Sequence, residues 1–172
     1  MQTAQNYVKN TMLKNAKSFL LLLIEDNPGD VRLTQEAFKE IKQNISLEVV
    51  MDGVDALRYL RKEEPFTDKI LPDLILLDLN LPKMDGREVI REIKADPYLR
   101  QIPIVVLTTS NARQDIINSY SLYANCFINK PVDFDQFFTI IQKIVDFWLL
   151  TAELPSLPAS MNNNPHFYQS IS

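Results

Sequence analysis

The chain has 172 residues, 46% hydrophobic and 23% charged, with a formal net charge of −4 and a pI near 5.0. That length closes a core of about 120 to 140 residues and is too short for two full domains, so one domain with tails is expected. The acidic balance offers no overall attraction to nucleic acid or an anionic membrane. A single cysteine, Cys126, excludes an intrachain disulfide framework, makes a reducing cytoplasm the default compartment and reads as an inert core thiol.

Residues 1–17 are polar with scattered Val8, Met12 and Leu13, and read either as a short helix or as a mobile extension. Lys9, Lys14 and Lys17 precede the apolar run FLLLLI, which superficially resembles a signal peptide. The run is only six residues long and is followed at once by Glu25 and Asp26, so a buried strand over 19–24 explains it better. No stretch approaches the roughly 20 apolar residues of a membrane span. Asn27 is then a helix cap with Pro28 in the first turn, and Leu33, Ala37, Phe38 and Ile41 share one helical face.

Residues 47–50 (LEVV) read as a second strand, and Val54, Leu57 and Leu60 as a second helix beginning after Asp52-Gly53. A polar connection over 62–72 has no assignable chemistry. LILLD is the third strand, with Val89, Ile90 and Ile93 on the third helix. Residues 104–107 form the fourth strand, and Ile116, Ile117 and Tyr120 mark the fourth helix. Residues 126–128 are a short fifth strand. Phe134, Phe137, Phe138, Ile141, Ile144, Val145 and Trp148 mark a long fifth helix. Strands alternating with helices imply βαβ units around a parallel sheet covered on both faces, which suits strands that are apolar throughout.

In such sheets ligands gather beyond the carboxyl ends of the strands. Glu25 and Asp26 end the first strand, Asp78 the third, Thr108 and Thr109 the fourth, and Lys130 follows the fifth. Alone, each has an ordinary reading as a helix cap, a dipole partner or a surface lysine. Together they converge on one edge. An unpaired carboxylate such as Asp78 inside LILLDL costs several kcal/mol unless it is compensated. Three crowded carboxylates suit Mg²⁺, a hard cation that prefers oxygen ligands. Asp78 is then a nucleophile toward a phosphoryl group, with Lys130 and the metal steadying the phosphoryl oxygens and Thr108 donating a hydrogen bond.

Over residues 18–150 the chain resembles the receiver domain of two-component response regulators. The resemblance is carried by LLIEDNPGD, LLDLNLPKMDG, VVLTTS and FINKP, with thirty residues from Asp78 to Thr108 and twenty-two from Thr108 to Lys130. It implies a doubly wound α/β fold of the flavodoxin-like receiver type, five parallel strands in the order 2-1-3-4-5. It further implies that Asp26 and Asp78 bind Mg²⁺ directly, Glu25 through water, and Asn80 by its backbone carbonyl. Asp78 would accept phosphate from a histidine kinase, Lys130 would pair with it, and the Lys130–Pro131 peptide would be cis. Phe127 matches the aromatic switch whose rotamer follows Thr108. The domain would be a phosphoacceptor that catalyses only its own phosphorylation and dephosphorylation.

Thr109 stands where many receivers carry Ala or Gly, narrowing access to the site. No output domain follows, which implies signalling by protein contact. Residues 151–172 read as a disordered or loosely docked tail, and His166 as a tail residue. Within the family the chain is similar to the small stand-alone regulators that accompany phytochromes. Such regulators imply a phytochrome as kinase and a homodimer through the fourth helix, fifth strand and fifth helix. Ile140, Phe147 and Leu150 add apolar surface consistent with it. A haloacid dehalogenase-type phosphatase is disfavoured because Asn80 stands where a second Asp is needed. A flavin carrier is disfavoured by the acidic pair after the first strand, and a phosphorylation-independent scaffold by the complete site.

Overall fold

Strands that are apolar on both faces are stable only inside a sheet covered on both sides, and this requirement organises the molecule. The computed structural model describes residues 18–155. Its strands are β1 (Phe19–Ile24), β2 (Ile45–Val50), β3 (Leu74–Leu77), β4 (Ile104–Thr108) and β5 (Cys126–Asn129), all parallel, in the order β2-β1-β3-β4-β5. This is the doubly wound α/β receiver architecture expected from the sequence. Alternate side chains divide between two clusters. Leu22, Ile24, Ile75, Leu77, Ile104 and Val106 face one, and Leu21, Leu23, Leu74, Leu76, Val105 and Leu107 face the other.

Among the described residues, five α-helices flank the sheet: α1 (Pro28–Glu40), α2 (Gly53–Arg61), α3 (Gly86–Ala95), α4 (Arg113–Ser121) and α5 (Phe134–Val145). Ala37 of α1 and Phe137, Ile141, Ile144 and Val145 of α5 pack on the second cluster; Leu57 and Leu60 of α2 and Val89, Ile90 and Ile93 of α3 pack on the first. The starts are locally encoded. Asn27 accepts the N–H groups of Gly29 and Asp30, Asp52 that of Asp55, and Asp133 that of Gln136, while Asp85 and Glu88 form a capping box.

Two helical faces depart from the expected pattern. In α4, Ile117 and Tyr120 are about half exposed and Ser119 is the buried residue. The helix packs against β5, the edge strand of the sheet, where little apolar sheet surface is left to cover those residues. In α5, Phe134, the first residue of the helix, is likewise about half exposed. The helix then widens into a π-helical segment, Asp146–Thr151, which turns Leu149 into the core. Leu154 packs on the same cluster, so the chain stays docked past residue 150.

Strand β2 starts two residues earlier than expected, and Cys126 on the edge strand β5 is half-buried, with burial pushing its thiol pKa up. The 62–72 connection is ordered: Tyr59 donates to the Ile70 carbonyl at 3.2 Å, the Phe66 ring meets that of Tyr59 in a tilted contact with centroids 5.6 Å apart, and Lys69 pairs with Glu48 at 2.8 Å. Among the described residues the cis peptide is Glu64–Pro65, not Lys130–Pro131. X-Pro isomers differ by only about 0.5–1 kcal/mol, so context and not sequence selects between them. The expectations for residues 1–17 and for His166 lie outside the described residues.

Candidate functional site

Chain direction creates the site. From β1 the chain crosses to β2 on one side, while β3 lies on the other, leaving a crevice at the carboxyl ends of β1 and β3. Asp78 follows β3 directly, its N–H bonded to the Ile24 carbonyl at 3.0 Å, and is buried with 6% exposure. Its Oδ1 accepts the Asn80 N–H at 2.9 Å and the Thr108 hydroxyl at 2.8 Å; its Oδ2 accepts from Lys130 Nζ at 2.7 Å. A charge in an apolar strand is thus compensated by three donors from three segments.

Lys130 is the hub of the site. Its backbone N–H bonds to the Thr108 carbonyl at 2.8 Å, and its buried ammonium contacts Glu25, Asp30 at 2.8 Å and Asp78. Glu25 is buried beneath the rim and also accepts the Asn27 N–H at 3.1 Å. The electrostatics differ between the two carboxylates. Burial dominates at Glu25 and pushes its pKa up against the pull of Lys130. Burial also opposes ionisation of Asp78, but Lys130, the Asn80 N–H and the Thr108 hydroxyl together outweigh it and hold the carboxyl below its usual value. For Lys130, burial would lower the pKa, yet its three carboxylates raise it.

Glu25, Asp30 and Asp78 each present an oxygen within 4.8 Å of the others. Ionised, these three carboxylates exceed the one ammonium among them by two negative charges, which a divalent cation would balance. An all-oxygen donor set suits a hard ion such as Mg²⁺.

The profile of the response regulator receiver domain matches residues 21–142. The chain belongs to the response regulator receiver family. It is 44% identical over 137 residues to the response regulator Rcp1 of Synechocystis sp., covering 80% of this chain and 93% of that one. The crystal structure of the phosphorylated cyanobacterial phytochrome response regulator RcpA superposes with a TM-score of 0.79 at 49% identity, over 81% of this chain and all of that one. The Mn²⁺-bound form of Rcp1 superposes with a TM-score of 0.77 at 44% identity, over 80% and 99% of the two chains.

In this receiver the expected residues Glu25, Asp78, Thr108 and Lys130 meet at one edge. Asp26 is half-buried at the same strand end but is not a member of the close carboxylate group. Asp30 occupies that place: Asn27 and Pro28 start α1 immediately, and the first turn brings Asp30 to Lys130. The exposed Asn80 contributes its N–H to Asp78. Thr109 is exposed on the rim, and Phe127 is half-buried on β5 beside Val106, packed against the first cluster.

Sequence reasoning missed three further features of the receiver. Lys83 adopts a left-handed conformation, φ 64°, and pairs with Asp52 at 2.5 Å, tying the β3–α3 loop to the start of α2. Gly86 has no room for a side chain, since a Cβ would lie 2.4 Å from the Asp78 carbonyl oxygen. Arg87 bridges Asp85 at 2.8 Å and Asp115 at 2.5 Å, and Asp115 accepts the Ser110 hydroxyl. For Asp30 a signal was available: a carboxylate four residues after Asp26, in the first turn of a capped helix.

Proposed function

We propose that this receiver accepts a phosphoryl group on Asp78 from the phosphohistidine of a sensor histidine kinase, and that the kinase is a phytochrome. The observation carrying the reading is the Asp78 carboxylate, buried yet held ionised by Lys130, Asn80 and Thr108 at the crevice. An Asp78 carboxylate oxygen attacks phosphorus and forms a P–O bond while the P–N bond breaks, its electron pair staying with the imidazole. Lys130 donates to the phosphoryl oxygens and the Thr108 hydroxyl follows them, shifting Phe127. Glu25, Asp26, Asp78 and the Asn80 carbonyl hold a divalent cation, Mg²⁺ in this reading, which when bound supplies charge neutralisation at the transferring group. The similarity to Mn²⁺-bound Rcp1 supports a metal of this class, and the similarity to the cyanobacterial phytochrome response regulator RcpA supports the phytochrome.

In this reading the protein is a phosphoacceptor of the cytoplasm, with residues 18–150 as the receiver and 1–17 and 151–172 as extensions. It acts by contact with protein partners, as a homodimer through α4, β5 and α5. Exposed Ile117, Tyr120, Phe134 and Phe147 support that surface, whereas Ile140 and Leu150 are half-buried. Among the described residues no helix is long and apolar enough to cross a membrane. Incubation with acetyl phosphate and Mg²⁺ tests the central claim. Stable labelling of the wild type that is absent in Asp78→Asn supports it. Sustained hydrolysis of assorted phosphate esters would favour the phosphatase, and no labelling at all would leave a scaffold.

A further inference from the structure

An ammonium has three hydrogens to donate, and at Lys130 all three meet carboxylates, those of Glu25, Asp30 and Asp78. Under the phosphoacceptor reading, on which this inference rests, two of these acceptors have a second role. Asp78 is the reacting group, and Glu25 belongs to the cation rim. Asp30 has neither. It sits in the first turn of α1, where its backbone N–H is held by Asn27 Oδ1 at 3.2 Å and its carbonyl by the Thr34 hydroxyl at 2.8 Å. Its position is therefore set by a capped helix and not by the strand ends that carry the reacting groups. Its side chain is 27% exposed, against 2% for Glu25 and 7% for Asp78, so ionised Asp30 keeps partial solvation and needs less compensation from the site.

We propose that Asp30 is a positioning residue for Lys130. When the Asp78 oxygen is committed to phosphorus, Lys130 must release Asp78 Oδ2 and turn to the phosphoryl oxygens. A buried ammonium that loses one partner without another pays a large desolvation cost and swings toward any remaining anion or toward water. Asp30, 2.8 Å from Nζ and outside the reacting set, keeps the ammonium over the site during this exchange.

The test uses the full chain as wild type, Asp30→Asn and Asp30→Glu. Labelling by acetyl phosphate is followed against Mg²⁺ concentration to separate maximal rate from half-saturating Mg²⁺. Mg²⁺ affinity is measured by calorimetry, and solvent access of Lys130 by reductive methylation with peptide mass spectrometry in metal-free protein. Asp30→Asn is expected to lower the maximal rate about tenfold, in the range of a small misplacement of a catalytic group. It is also expected to speed methylation of Lys130 several-fold, while Asp30→Glu retains most of the wild-type behaviour. A wild-type maximal rate in Asp30→Asn, with only weaker Mg²⁺ affinity, would reduce Asp30 to a distant charge and overturn the proposal. Unchanged methylation of Lys130 would overturn it equally. Should Asp30→Asn fail to fold, Asp30→Ser, which retains a hydroxyl in the first turn, carries the same comparison. A wild type that takes no label defeats the phosphoacceptor reading instead, and Lys130 methylation still decides whether Asp30 holds the ammonium.

Discussion

Lys130 Nζ lies 2.7 Å from Asp78 Oδ2 while the Thr108 hydroxyl lies 2.8 Å from Asp78 Oδ1, so both oxygens of one buried carboxylate are gripped by groups from the two strands beyond its own. The sheet order makes this possible, because β4 adjoins β3 and β5 adjoins β4. The ion pair compensates the carboxylate, and the reactive site exists because that compensation is electrostatic and not apolar.

Removing the ammonium should expose the mutual repulsion of the carboxylates. Lys130→Met is expected to destabilise the metal-free protein by about 3–5 kcal/mol, the usual consequence of breaking a buried pair from one side. Mg²⁺ should then raise the melting temperature more in the variant than in the wild type, because ion binding stabilises the folded form by mass action. Calorimetric scans with and without Mg²⁺ measure both quantities, and an equal Mg²⁺ response in the two proteins would refute the shared-site picture.

Glu25 and Asp78 should respond to pH in opposite senses. The Glu25 carboxyl is raised from its ordinary 4.5, so the stability tied to its protonation is complete below that value and disappears as pH rises through the folded value. Charged Glu25 is therefore a burden at neutral pH. Asp78 is lowered from 3.8, so its contribution is present above that value and is lost as pH falls through the lower folded one. Glu25→Gln is expected to raise the melting temperature of the metal-free protein at pH 7. The gain should shrink toward pH 4 and be accompanied by weaker Mg²⁺ binding. Thermal melts from pH 4 to 8 provide the check, and a lower melting temperature at pH 7 would contradict the assigned direction.

Thr108→Val keeps the shape of a fully buried side chain and deletes its hydroxyl. Asp78 Oδ1 then retains only the Asn80 N–H of its two donors, and the Ser110 N–H loses its contact with Thr108 Oγ1 at 3.3 Å. A loss of about 1–2 kcal/mol is expected, read as a lower urea midpoint with an unchanged slope. A midpoint equal to wild type would show that the hydroxyl does not support the carboxylate.

Gly86→Ala tests the backbone behind the site. The added Cβ would meet the Asp78 carbonyl oxygen at 2.4 Å and Leu79 Cα at 2.7 Å, and backbone atoms cannot rotate away as a side chain can. Overpacking of this kind costs about 1–3 kcal/mol or more. Stability should fall by at least that amount in urea denaturation, with Mg²⁺ affinity reduced because the Asp78 loop must shift. Full retention of both would mean the loop moves freely.

The dimer reading has its own measurement. Phe147 is 56% exposed, so Phe147→Asp should leave the melting temperature of the fold nearly unchanged while lowering the mass seen in light scattering. The wild type should hold a constant dimer mass; a monomer at micromolar concentration ends the homodimer reading.

Much of this molecule could be read along the chain because its determinants are local. β1 and β3 are unbroken apolar runs with polar residues directly after them, Asn27 caps α1 where the sequence places it, and α2 begins after Asp52 as read. The spacing of Asp78, Thr108 and Lys130 follows from strand and helix lengths, and so survives in one dimension. The facing of α4 and Phe134 was not legible, because an apolar residue near a sheet edge finds either core or solvent according to what neighbours it in space.

The sequence by itself determined the parallel sheet, the capped helices and the set of polar residues delivered to the strand ends, since periodicity and capping act over a few residues. Only the tertiary structure decided that Asp30 joins Glu25 and Asp78 around Lys130, a residue one hundred positions further on. It likewise decided that Gly86 must lack a side chain beneath Asp78, and which prolyl bond is cis. Those choices depend on distances between elements that meet only after the chain folds, where a few ångströms determine whether charges pair or repel.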